Sequence, residues 1–122
     1  MTQTTGSTSL DTVREYHRAW TGGDIDQAMT LVADDVVCHA PGGDLVGKAA
    51  YRGFLAGFAP KLIGLSDAVS FADDDRVALF YYPHTAVTTT APAAEYFTLR
   101  EGVITESVLV FDRLSFAPPQ HQ

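Results

Sequence analysis

The spacing of the apolar residues changes once along this chain, and that change limits the folds open to it. Up to Phe58 they recur at helical intervals, and from Leu65 onward they fall into short alternating runs. Leu10, Val13, Tyr16, His17 and Trp20 form one helical stripe, stopped by Thr21-Gly22-Gly23. Asp24 suits the N-cap of a second helix, in which Ile25, Ala28, Met29 and Val32 recur before Ala33-Asp34-Asp35. Val36 to Ala40 reads as a short strand running into a Pro41-Gly42-Gly43-Asp44 turn. Gly47 to Phe58 reads as a third helix ended by Pro60, with Tyr51, Phe54, Leu55 and Phe58 on one face. Strands are expected at 68–72, 76–87, 94–100 and 103–114, joined by turns at Asp73-Asp74-Asp75 and Glu101-Gly102.

The resulting order, α-α-β-α-β-β-β-β, places helices early and hairpin-linked strands late. It predicts an α+β fold in which a curved, mostly antiparallel sheet packs against three helices. It is not a βαβ unit, and no GxGxxG or P-loop is present to hold a nucleotide. At 122 residues the chain has room for one domain, expected at 10–114 between flexible tails at 1–9 and 115–122. A 46% hydrophobic content suffices to close its core. The formal charge of −7 disfavours nucleic acid and anionic membrane surfaces as partners. The single cysteine, Cys38, makes no internal disulfide, and the four histidines show no zinc-ligand spacing, so no metal is expected. Without a basic and apolar leader or a long apolar run, a cytoplasmic protein is expected.

Alternation along the strands groups the candidate polar residues. Tyr82 and His84 share one face with Phe80, opposite Leu79, Tyr81 and Pro83, so both or neither enter a pocket. Glu95 shares a face with Phe97 and Leu99, where it would be a buried, protonated donor, a buried partner of a cation, or an exposed strand-edge carboxylate. Asp112 groups with Val108 and Val110, against Ser107, Leu109 and Phe111, and reads as a desolvated carboxyl or as a partner of Arg113. His39 is a titratable group or a satisfied core histidine, with Cys38 facing the other way. Tyr16 and Trp20, one helical turn apart, can present polar tips from an apolar wall. His17, between Arg14 and Arg18, is read as a helix surface or interface residue. Asp73-Asp74-Asp75 lacks the spacing of a calcium loop. Apolar residues on both parities of the last strand imply that both sheet faces are covered, one by a pocket and the other by a second subunit of a homodimer.

The segment VREYHRAWTGGDIDQAMTLVADDVVCHAP (13–41) resembles the start of the nuclear transport factor 2-like superfamily, which includes ketosteroid isomerases and SnoaL-like polyketide cyclases. AAYRGFLAGF is similar to its third helix, DDDRVALFYY to its hairpin into a long strand, and REGVITESVLVFD to its closing hairpin. The resemblance implies a cone-shaped fold around an apolar pocket. Against the isomerases, Tyr16 matches the tyrosine that donates to the oxyanion and Glu95 falls near the second acid. Ala40 stands before Pro41 where their general-base aspartate belongs, which removes that mechanism.

Against the cyclases, His39 matches a histidine of the first strand and Asp112 the acid that closes the last. Val108 replaces a usual tryptophan, and Pro83-His84-Thr85 stands for a Gly-Thr-His element. On this resemblance the chain is expected to be a small enzyme needing no cofactor or metal, which cyclises or isomerises an apolar carbonyl- or epoxide-bearing metabolite. His39 and Asp112 would be its acid–base pair and Tyr16 its oxygen donor. Trp20, Tyr51, Phe54, Phe58, Tyr82, His84, Glu95, Phe97 and Phe111 would contact the small apolar ligand. A non-catalytic ligand-binding or dimerisation module is the alternative, and an epoxide hydrolase a further one. On the last strand the two comparisons conflict: the isomerases send Ser107, Leu109 and Phe111 inward, the cyclases Val108 and Asp112.

Overall fold

Four strands from the second half of the chain and two from the first form a six-stranded sheet whose inner face is covered by helices from the first half. The computed structural model describes residues 5–117. Helix α1 (Thr5–Thr21) is followed by the short α2 (Ile25–Met29), β1 (Val32–Ala40), β2 (Gly43–Val46) and α3 (Lys48–Phe58). A single 3-10 turn at Ala59–Lys61 leads into β3 (Gly64–Asp73), β4 (Arg76–His84), β5 (Ala93–Arg100) and β6 (Val103–Phe111), and α4 (Arg113–Phe116) closes the described chain. The sheet order is β2-β1-β6-β5-β4-β3, antiparallel throughout except for the parallel pair β1 and β6. This is the expected α+β architecture, with two elements added.

Both additions have local causes. Gly43, at φ 131°, turns the chain back on itself, so Asp44-Leu45-Val46 pairs with β1 as an edge strand instead of ending in a loop. At the other end the last strand stops at Phe111 rather than Leu114. Asp112 accepts hydrogen bonds from the Leu114 backbone N–H (3.2 Å) and the Ser115 hydroxyl (2.8 Å), so it caps the turn of α4. Within the stretch expected as a tail at 115–122, Phe116 packs edge-on against Phe111 and Phe58, with ring centroids 5.6 and 6.1 Å apart. The tail expected at 1–9 already belongs to α1 from Thr5, and Ser9 is buried. Residues 1–4 and 118–122 lie outside the described residues.

Cross-strand pairing settles which side chains face inward. Phe97 pairs with Ser107 and Val77, and Glu95 with Leu109 and Leu79, so these residues share the inner face. An extra residue on β6, Thr105, opposite the Thr98–Leu99 step of β5 moves Ile104 to the inner face as well, where it is fully buried. Ser107, Leu109 and Phe111 thus point inward, as the isomerase comparison had it. The Glu101-Gly102 turn, with φ of 53° and 84°, closes this hairpin in the left-handed region. Among the described residues no helix is long and apolar enough to cross a membrane. Replacing Asp112 by Ala removes the α4 cap, and urea titration is expected to show a loss of about 1 kcal/mol in unfolding free energy.

Candidate active site

Between α1, α3 and the inner face of the sheet lies a cavity with about 420 Å³ of empty space including its mouth. Trp20 of α1 and Tyr51, Phe54, Leu55 and Phe58 of α3 form its helical wall. Helical spacing brings Tyr51, Leu55 and Phe58 onto one face of α3, which packs against the sheet. Tyr81, Pro83, Ala93, Glu95, Leu109 and Phe111 form the sheet wall, and Phe116 of α4 stands at its edge.

Glu95 is the one carboxylate of that lining, and it is 4% exposed. The Tyr81 hydroxyl donates to its Oε2 at 2.6 Å, and Nε2 of the buried His17 lies 3.9 Å from the same oxygen. Burial pushes the Glu95 carboxyl up to about 7, against the smaller opposing effect of the Tyr81 hydrogen bond. Burial also pushes His17 down to about 4, so between these values both groups are uncharged. The hydroxyl groups nearby are held as neutral phenols: Tyr81, Tyr16 and Tyr51 are all raised, first by burial. Tyr16 and Tyr51 hydrogen-bond to each other, and Ser107 donates to Tyr51 at 3.4 Å, joining α1, α3 and β6 beneath the cavity. Two buried nitrogens, Nε2 of His17 and the indole N–H of Trp20, have no hydrogen-bond partner among the described residues. An unmet buried donor costs about 1–3 kcal/mol.

Several expected site residues lie elsewhere. His39 faces the outer side of the sheet, where its ring nitrogens meet Asp44 at 2.9 Å and Glu106 at 2.8 Å. These contacts, Glu106 first, raise its proton affinity. Asp112 is the exposed cap of α4, so the two do not form an acid–base pair in the cavity. Cys38, opposite His39 on β1, is the residue that points inward. Tyr82 and His84 also face outward, in the row opposite Tyr81, and His84 pairs with the Ser66 hydroxyl at 3.0 Å. Phe97 is fully buried beside the cavity, with Tyr16 edge-on to its ring at 5.5 Å. Tyr16 itself is core, reaching the cavity through Tyr51. Trp20, Tyr51, Phe54, Phe58, Glu95 and Phe111 do line the cavity.

His17 and Tyr81 were not anticipated. His17 belongs to the apolar stripe of α1 by spacing, but its arginine neighbours suggested solvent. Tyr81 shares its row with Val77, Leu79 and Pro83, an apolar set that identifies the inward parity.

A sheet wrapped around an apolar cavity under three helices is the nuclear transport factor 2-like fold. The SnoaL-like domain family matches residues 13–107. The chain belongs to this family. Among solved structures, this SnoaL-like chain is similar to a protein from Kribbella flavida DSM 17836, with 44% identity over 88% of each chain and a TM-score of 0.84. A protein of Xanthomonas campestris pv. campestris, proposed to be a polyketide cyclase, shares 24% identity over 93% of this chain and 96% of its own, with a TM-score of 0.80. A second such protein, from Silicibacter sp. TM1040, shares 26% over 95% and 96%, with a TM-score of 0.75. No curated protein matches the sequence.

The linkages of Glu95 and His17 to folding have opposite signs. Glu95 binds its proton more tightly when folded, so its contribution is complete below pH 4.5 and is lost as pH rises to about 7. His17 binds its proton less tightly, so its contribution is complete above pH 6.5 and is lost as pH falls to about 4. Glu95→Gln removes only the first. Relative to the parent, this variant is expected to lose about 3 kcal/mol of unfolding free energy between pH 7 and 4.5, measured by denaturant titration at each pH. A difference that does not vary with pH contradicts the buried, titrating carboxyl.

Proposed function

We propose that the chain is an acid–base enzyme that isomerises or cyclises a small apolar carbonyl compound in the cavity, with Glu95 as the proton-transferring group. The observation that carries this reading is a buried carboxyl on an otherwise apolar wall, its proton affinity lifted by burial to about 7. Proton transfer is served best by a group that titrates near ambient pH. As a carboxylate, Glu95 removes a proton from the carbon beside the carbonyl, and the electron pair moves onto the carbonyl oxygen as an enolate. Glu95, now a carboxylic acid, returns the proton at another carbon, or the enolate attacks a second carbonyl of the same molecule and Glu95 gives the proton to the alkoxide that forms there. One negative charge occupies the cavity at every stage, so no new charge has to be desolvated. The two similar proteins proposed to be polyketide cyclases favour ring closure as the outcome.

Exchange of α-protons for deuterium in a simple ketone, α-tetralone, tests the first step by NMR in D2O. Catalysed exchange is expected to rise with pH through a midpoint near 7 and to fall at least about 100-fold in Glu95→Gln. Equal exchange by the parent and the variant removes Glu95 from the reaction.

A second copy of the chain is the proposed partner of the outer sheet face. Pairing places Val69 beside Phe80, Phe71 beside Ala78 and Ala94 beside Val110, a row of uncharged residues crossing four strands. Phe71 is 65% exposed and Val110 58%, an apolar area of the kind that a symmetric contact buries. Sedimentation at micromolar concentration is expected to show a dimer for the parent and a monomer for Phe80→Glu. A parent that sediments as a monomer defeats this assignment.

A further inference from the structure

Trp20 combines two properties that no other residue of the cavity wall shares. Its ring lines the cavity, and its indole N–H is buried without a hydrogen-bond partner among the described residues. Its ring neighbours are His17, edge-on at 5.7 Å, and Phe58 at 6.1 Å, and neither accepts from the N–H. Buried donors in folded chains are nearly always paired, so the unpaired donor of a residue in a cavity wall is a candidate to meet an acceptor on a bound molecule. Apart from Trp20 and Glu95, the polar groups of the lining are two phenols, and both are already engaged: Tyr81 with Glu95, and Tyr51 with Tyr16 and Ser107.

We infer that Trp20 is the specificity residue of the cavity, its indole N–H donating to the carbonyl oxygen of the bound compound while Glu95 faces the neighbouring carbon. This rests on the proposed proton transfer only for the position of the carbon; the donor itself is a matter of binding. The arrangement divides recognition between two elements. α1 holds the oxygen and β5 addresses the C–H bond, so a ligand without an acceptor would fill the space yet leave the indole unmet. As charge builds on the oxygen during enolate formation, the same N–H strengthens its hold on it.

Trp20 is the single tryptophan of the chain, so its indole N–H gives one unambiguous proton resonance. Titration of the parent with α-tetralone, with binding read from the ligand's own line width, is expected to move that resonance downfield. The hydrocarbon tetralin, lacking the oxygen, is expected to bind without that shift. Trp20→Phe, which keeps a ring and loses the donor, is expected to bind α-tetralone about tenfold more weakly and tetralin with little change.

The inference is overturned by an indole resonance that stays in place while α-tetralone binds, by equal weakening of both compounds, or by a variant that holds the ketone as tightly as the parent. Failure of α-tetralone to bind overturns it too. The indole shift is read on the parent, so a poorly folding variant does not decide the matter. It also reports binding alone: a clear shift with unchanged exchange in Glu95→Gln separates a correct donor assignment from a wrong account of proton transfer.

Discussion

The hydrogen bond from Tyr81 to Glu95 is the contact around which the inner face of the sheet is organised. A carboxyl on an apolar wall is tolerated only if it is largely neutral or accepts hydrogen bonds from donors, and here a single phenol supplies that donor. Tyr81 on β4 and Glu95 on β5 must therefore share one face, which sets the parity of both strands. The neighbouring inward residues follow from that parity: Leu79 and Pro83 on β4, Ala93 and Phe97 on β5, and Ser107 and Leu109 across the next ladder. The helices then supply rings rather than charges, and His17 meets the carboxyl as a neutral imidazole.

Much of this was legible from the residues. The change of apolar period located the helices and the sheet, and Glu95 was grouped correctly with Phe97 and Leu99. The α3 wall of Tyr51, Phe54 and Phe58 followed from helical spacing. What alternation does not reveal is which of two rows faces the core when both carry large apolar side chains. Phe80 and Tyr82 look as suitable for a pocket as Leu79 and Tyr81, because the outer face of this sheet is itself apolar. His39 and Asp112 were assigned by resemblance, and their surroundings explain the different outcome: one is clamped between two outer-face carboxylates, the other is occupied in capping a helix. The added β2 and α4 were hidden because both are very short and begin directly after another strand.

The two sides of the sheet divide its chemistry. Inside, burial favours the neutral forms of a carboxyl, an imidazole and three phenols. Outside, the contacts of His39 with Asp44 and Glu106 tie β2 and β6 across β1, beside a broad apolar strip over β3 to β6. A strand with one residue on each side, such as Cys38 and His39, serves both environments at once.

The order β2-β1-β6-β5-β4-β3 places the last strand to be made near the middle of the sheet. Until β6 is available, β1 with β2 and the β3–β5 meander have no ladder between them, and neither piece can close the inner face. The joining step brings Cys38 to Ser107 across most of the chain, a long loop to close before any contact repays it. Folding is therefore held back until the C-terminal hairpin exists, and the half-built sheet exposes two unpaired edges in the meantime. The same strand that carries Leu109 and Phe111 to the cavity is the keystone of assembly, so damage to it removes the site and the fold together.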